Sequence, residues 1–268
     1  MHDIPKADGS DGLDDFERAC LALSSARRVH DSDFQFFEAL DGLKGLFIDV
    51  GANIGQTALS VFLINRSFDV FSFEPNRRLV TALEFVRRRF PYRFRYMLVG
   101  LSDQTFTASL HIPTVEGVDL SANAAIDVDE FNKDYVRERL WSEIRAAGKE
   151  EKPRFEAMPA DFTTLDSLDL APSVIKIDVE GHEARVIAGA IQTIRRYRPI
   201  LLIENNNFLS FARVLKNLNY KPFRFDCEAN KLRAITHKTQ VWALNHFWIN
   251  GDSPPELSSR LSNIVSCD

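Results

Sequence analysis

Residues 46–55 hold the first arrangement in this chain that could do chemistry: Leu46-Phe47-Ile48, then Asp49-Val50-Gly51-Ala52-Asn53-Ile54-Gly55. The pattern predicts a buried parallel strand that runs into a glycine turn and then a helix. A second apolar run, Phe71-Ser72-Phe73, ends in Glu74-Pro75. Strand ends in a parallel sheet are where nucleoside-like ligands bind, and a carboxylate at Glu74 can accept both hydroxyls of a ribose. In a dinucleotide-binding turn, G-x-G-x-x-G, the middle glycine lets the backbone approach a pyrophosphate. Asn53 stands at that position here. Its side chain crowds a diphosphate but can hydrogen-bond an amino acid moiety. Asp49 adds a negative charge that repels a diphosphate and attracts an ammonium or sulfonium. A cofactor with adenosine, no phosphate and a positive charge fits all three residues, which points to S-adenosylmethionine. Two other readings stand beside it: a glycine turn in a ligand-free domain, and a nicotinamide-dependent oxidoreductase, against which Asn53 argues.

A second strand-to-helix passage is Val174-Ile175-Lys176-Ile177-Asp178-Val179-Glu180-Gly181-His182-Glu183-Ala184. Methyl transfer is a direct displacement that needs its nucleophile close and aligned. An alcohol must also lose its proton, which calls for a general base or a metal ion. His182 is the best general base by intrinsic pKa, near neutrality. Asp178 can orient that imidazole, hold the methionine end of the cofactor, or coordinate a cation. Glu180 and Glu183 at a helix start also suit the helix dipole. Lys176 lies inside the strand on the face of Asp178, and a buried lysine needs such a partner.

At this point the chain resembles the FkbM family of S-adenosylmethionine-dependent methyltransferases. The matching residues, in the family's order, are Asp49 to Gly55, Phe73-Glu74-Pro75-Asn76, Leu101-Ser102-Asp103, Thr164-Leu165-Asp166, Ile175 to Glu183, and Ile203-Glu204. They span roughly residues 46–222 of a single-domain length of chain. The resemblance implies a Rossmann-like class I methyltransferase fold: a mainly parallel central sheet, helices on both faces, and an antiparallel C-terminal end. It implies O-methylation of a hydroxyl on a sugar, glycolipid or polyketide-like small molecule. The cofactor-binding residues are then Asp49, Gly51, Asn53, Gly55, Glu74, Pro75, Asn76, Ser102, Asp103 and Asp178; the catalytic ones are Asp178, Glu180 and His182. Ser102-Asp103 ends a strand unit where a polar pair can reach the adenine amine. Asp178 with Glu204-Asn205 also allows an Mg²⁺ site. It is similar to that of catechol O-methyltransferases, with Glu in place of Asp. A fold that keeps cofactor binding only as an interaction module is the non-catalytic alternative.

These residues need elements to hold them. The spacing predicts strands over 46–50, 69–73, 94–99, 105–112, 155–159, 174–179 and 200–204, with helices over 56–65, 76–89, 182–197 and 208–218. Closing antiparallel strands are expected over 221–226, 232–236 and 240–249. Residues 1–12 are polar and read as disordered, 13–45 as a helical extension with Phe16, Ala19, Cys20, Leu23, Phe34, Phe37 and Leu40 on its apolar side, and 251–268 as a C-terminal tail. The methyltransferase domain is read as 46–250. Within it, 113–153 breaks the rhythm as an insertion with a charged helix over 129–149. That insertion is either a lid or a helix packed on the sheet edge; as a lid, Tyr135 and Trp141 would be the first acceptor contacts.

The 268 residues are 45% hydrophobic, enough for a sizeable core. A net charge of -5 argues against a broad grip on nucleic acid. Arg77, Arg78, Arg87, Arg88, Arg89, Arg93 and Arg95 cluster and read as a solvated helix face. Cys20, Cys227 and Cys267 show no paired spacing, so free thiols and a cytoplasmic location are expected. No run has membrane-spanning length.

Overall fold

The apolar runs on either side of the glycine turn set the frame. β1 (Gly45–Val50) and β2 (Phe68–Phe73) pair in parallel, and β3 (Phe94–Met97) lies beside β2. The chain then leaves this sheet. β4 (Gly100–Leu101), β5 (Phe106–Val115), β6 (Val118–Asp119) and β7 (Arg154–Thr163) form a separate sheet in the order β4-β7-β5-β6. It returns as β8 (Pro172–Ile177) and β9 (Ile200–Glu204), both parallel to β1. β10 (Tyr220–Asp226), β11 (Lys231–Ala234), β12 (Asn245–Asn250) and β13 (Val265–Ser266) close the main sheet. Its order is β13-β11-β10-β12-β9-β8-β1-β2-β3, with β12 antiparallel to both β9 and β10. This computed structural model describes residues 29–146, 148–205, 208–235, 245–262 and 264–266. The segment 1–12, the positions Phe16, Ala19, Cys20, Leu23 and Cys267, and residues 240–244 of the closing strand fall outside them.

Side-chain alternation along buried strands builds two cores. On one face Phe47, Phe68 and Val70 pack against the helix Gln56–Ile64, the helix Val80–Arg89 and the 3₁₀ helix Ser32–Leu40. On the other, Ile48, Val50, Ile175 and Ile177 pack against the helices Glu183–Ala188, Ile191–Tyr197 and Phe208–Asn217. The fold is the Rossmann-like α/β arrangement expected, with helices on both faces and an antiparallel end. Phe34, Phe36, Phe37 and Leu40 are fully buried, so the described part of the N-terminal extension is core. No described helix is long and apolar enough to cross a membrane.

The structure departs from the sequence pattern in four places. The helix predicted over 182–197 is two helices that meet at Gly189-Ala190, where the Gly189 backbone packs on the Ser102 carbonyl and a Cβ would stand 1.9 Å from it. The helix predicted from 76 begins as a 3₁₀ turn, Arg77–Leu79. The strands predicted over 105–112 and 155–159 are longer and pair with each other from Phe106↔Phe162 to Thr114↔Arg154. The 113–153 segment is therefore the tip of a two-stranded excursion, with its helix at Asp134–Ala146. The tail 251–268 contributes the helix Pro255–Leu261 and β13, which pairs with β11.

Candidate active site

Register places the chemistry in a row. Val50 pairs with Phe73 and with Ile177, and Ile177 pairs with Ile203. The next residue on each strand, Gly51, Glu74, Asp178 and Glu204, therefore falls along the carboxyl edge at the strand spacing of about 4.8 Å. An open cleft runs along this row. Asn53, Pro75, Glu180 and His182 join its floor. Its opposite wall comes from the excursion and includes Ser121, Ala125, Ile126, Arg139 and Phe162.

At the Glu74 end the cleft is shaped by backbone. Gly51 has φ +82°, and a Cβ there would lie 1.9 Å from the Asp178 carbonyl oxygen, so only glycine lets the two strand ends converge. Asn53 takes φ +47°, a left-handed turn position that asparagine tolerates. Its N–H donates to Glu74 Oε2 at 2.8 Å, and its own Oδ1 accepts from Ser121 Oγ at 3.0 Å. Glu74 Oε1 accepts from the Asn76 N–H at 2.9 Å. Burial pushes the Glu74 carboxyl up to about 7 despite these donors. Gly55 (φ +89°) starts the following helix against Val86, and Asn76 caps the 3₁₀ turn through Arg78 N–H; neither is part of the cleft wall.

Asp49 is not part of it either. Expected to meet the cofactor's positive charge, it is instead fully buried behind the row, where Ser72 Oγ donates to it at 2.9 Å. Lys176 Nζ stands between Asp178 (3.0 Å) and Asp49 (3.6 Å), so the lysine has the expected partner and a second one. Strand alternation turns Asp49 to the face of Phe47, opposite to Ile48 and Val50, and its register partner Lys176 supplies the countercharge there.

Beyond Gly51 the cleft is acidic. Carboxylate oxygens of Asp178, Glu180 and Glu204 lie within 4.8 Å of one another. Three such groups cannot all ionise at that spacing. Lys176 holds Asp178 below the usual carboxylate range in spite of burial. Glu204 keeps its proton, with a pKa pushed up to about 10 by burial and by Asp178, to which it donates. Glu180 lies between them: burial raises it to about 7 although Arg139 Nη2 pairs with it at 2.6 Å. Arg139 also reaches toward Glu204, at 4.0 Å, and its Nε donates to Asn123 Oδ1 at 2.9 Å. Asn123 Nδ2 in turn donates to Glu143 at 2.7 Å.

His182 departs from expectation. Burial and the neighbouring Arg185 lower its pKa to about 4 rather than leaving it near neutrality. Ser102 Oγ gives its one proton to Asp103 Oδ1 (3.0 Å), so it accepts at its 2.9 Å contact with His182 Nε2. The network thus assigns the ring proton to Nε2 and leaves Nδ1 as the basic nitrogen. Ser102 is fully buried and Asp103 faces solvent beside Arg185. The pair braces the imidazole and lies next to Gly100 and Leu101, which line the cleft.

Tyr135 is exposed and Trp141 packs on Leu140 and Ile144; neither lines the cleft. From the same helix, Arg139 and Glu143 do. The signal for them was present: a charged pair four residues apart, flanking the apolar stripe Val136, Leu140 and Ile144. Gln56, also on the wall, had no such signal.

The acidic cluster has oxygen donors that could hold a metal ion. Its three carboxyls already meet two cations of the chain, Lys176 at Asp178 and Arg139 at Glu180, and the third holds its proton. A divalent ion would have to displace all of these.

A Rossmann-like sheet with an antiparallel end and a cleft along its carboxyl edge is the arrangement of the class I methyltransferases. The chain belongs to the FkbM methyltransferase family: the family's methyltransferase FkbM domain matches residues 49–225. Among solved structures it is similar to the FkbM methyltransferase of Methylobacillus flagellatus, at 17% identity and a TM-score of 0.49 over 88% of this chain. The chain spans 55% of that protein's length. A TehB-like SAM-dependent methyltransferase of Corynebacterium glutamicum matches at 10% identity and TM-score 0.41, covering 87% of this chain and 94% of its own. An SAH-bound methyltransferase of Podospora anserina matches at 10% and 0.38, covering 90% of each. A search of the curated proteins found no match.

Proposed function

We propose that this chain is an S-adenosylmethionine-dependent O-methyltransferase acting on a hydroxyl of a sugar, glycolipid or polyketide-like small molecule. The observation that carries this reading is the division of one cleft into two chemical halves. One half sets the Glu74 carboxylate beside Asn53 in the turn, which suits a ribose and a phosphate-free cofactor. The other holds three carboxyls whose environments push their pKa values apart, which suits proton removal. S-adenosylmethionine, when bound, supplies an electrophilic methyl group; Gly51, Asn53, Glu74, Pro75 and Asp178 would hold it.

The chain's own groups then handle the proton. Glu180 is the general base best matched to neutral pH, since its pKa of about 7 lies near the working range. His182, lowered to about 4, is a weaker base, and its held ring fits positioning. Arg139 carries the excursion onto Glu180, so the 113–153 segment acts as a lid whose latch is an ion pair inside the site. Calorimetric titration with S-adenosylmethionine, S-adenosylhomocysteine and NAD tests the cofactor. Binding of the first two alone is expected; binding of NAD alone would return the oxidoreductase reading. Turnover of hydroxylated acceptors should not respond to Mg²⁺ or to EDTA.

A further inference from the structure

The row on the carboxyl edge continues past the cleft described so far. Glu204 pairs with Asn245, the first residue of β12, and β10, on the far side of β12, ends at the same edge near Arg224. A second cleft lies there, walled by Asp31, Asp33, Arg224 and Asn245. It meets the first at three shared residues, Gln56, Asp178 and Glu204. Along one sheet edge the order is thus Glu74, Gly51, Asp178, Glu204, Asn245, with one cleft on each side of the acidic cluster.

Three features of the second cleft point to a ligand rather than to packing. Gln56 Oε1, at the seam, is buried and has no hydrogen-bond partner among the described residues. It is an acceptor waiting for an O–H or N–H. Asn245 Nδ2 bridges two carboxylates, donating to Asp31 Oδ2 at 2.7 Å and Asp33 Oδ2 at 3.2 Å. That contact holds two acidic side chains together at the cleft wall; Asp31 Oδ1 also accepts from the Asp33 N–H at 2.9 Å as the cap of the 3₁₀ helix, and each carboxylate keeps further lone pairs. Arg224 adds a donor on the same wall.

Resting on the methyltransferase reading, we infer that this second cleft is the acceptor site and that it takes a neutral ring with adjacent hydroxyls. Asp31 and Asp33 accept from a vicinal diol, Arg224 donates to a ring or hydroxyl oxygen, and the hydroxyl to be methylated reaches the seam at Gln56. There Glu180 lies within 4.8 Å of Asp178 and Glu204, so its carboxylate can take the hydroxyl proton as the O–CH₃ bond forms and the S–CH₃ bond of S-adenosylmethionine breaks, with S-adenosylhomocysteine as the leaving group.

Saturation-transfer NMR on the full chain tests this, with S-adenosylhomocysteine present and methyl α-mannopyranoside as probe. Benzylamine and the 2,3-dideoxy glycoside serve as controls. Transfer to the mannoside alone is expected. It should fall at least fivefold in Asp33→Asn and in Arg224→Gln, while S-adenosylhomocysteine affinity measured by calorimetry stays within twofold. Undiminished transfer in both variants would place the sugar elsewhere and overturn the assignment. Transfer to benzylamine alone, or to no probe while S-adenosylhomocysteine binds, would also overturn it and leave the methyltransferase reading standing. Failure of S-adenosylhomocysteine to bind would overturn both.

Discussion

The main sheet and the excursion from β4 to β7 face each other across one cleft, yet they are held by different forces. The main sheet rests on two large apolar clusters that run through both of its faces. Apart from Leu101 of β4, which joins one of these, the excursion rests on small clusters, such as Leu110, Ile112, Ala160 and Phe162, or Ala125, Phe131 and Val136. Polar contacts tie it to the frame: Arg77 to Asp161, Arg78 to Asp119 and Glu156, Ser121 to Asn53, and Arg139 to Glu180. Apolar burial is non-directional and cumulative, whereas a polar contact is lost when one partner shifts. The frame is therefore built to hold the cofactor row still, and the excursion to be set in place by charges in the site.

The comparison breaks most completely at the frame. Gly51→Ala should cost about 3 kcal/mol or more of stability and abolish cofactor binding, because the methyl group would overlap the Asp178 carbonyl. Thermal unfolding and calorimetry together check it; a stable variant that binds cofactor normally would show that the strand ends can part. Next, Glu180→Gln should lower kcat about 100-fold. In the unsubstituted protein kcat should rise with pH through about 7, the pH at which Glu180 loses its proton. If the profile instead breaks near 4, His182 is the base.

Arg139→Ala separates the two regions. Turnover should drop roughly 10- to 100-fold, since a partly buried carboxylate loses its countercharge, while thermal unfolding of the frame changes little. A smaller effect is expected from Glu204→Gln, and it depends on pH. The folded chain holds the Glu204 proton up to about 10, whereas an unfolded glutamate releases it near 4.5. Folded protein therefore binds more protons across that window, and stability contributed by this site falls as pH rises. Gln keeps a donor toward Asp178 without the ionisation, so the variant should melt higher than the parent at pH 9 and alike at pH 4. Last, Arg78→Ala should leave turnover within about twofold, because its ion pairs with Asp119 and Glu156 are solvent-exposed. A loss as large as that of Arg139→Ala would mean the surface pairs, not the latch, position the excursion.

The frame was legible in the sequence because buried parallel strands are continuous apolar runs ended by glycine or an acid. Leu46 to Gly55, Phe71 to Glu74 and Val174 to Gly181 each say where a strand stops, and ligand chemistry gathers at those stops. The excursion was less legible. The long pairing of β5 with β7 joins residues about fifty apart, and no local period records which strand meets which. The same limit hid the role of Ser102 and Asp103: their place at a strand end could be read, but not that His182 would come to them.

By itself the sequence determined the parallel strands of the main sheet and the helices between them, the glycine turn, and the acids that end β2, β8 and β9, since each follows from local geometry and alternation. Only tertiary structure decided which acids are ionised, that Asp49 turns inward to Lys176, and that Arg139 reaches Glu180 across the cleft. Those outcomes depend on burial and on charges brought together from distant parts of the chain, and neither quantity is local.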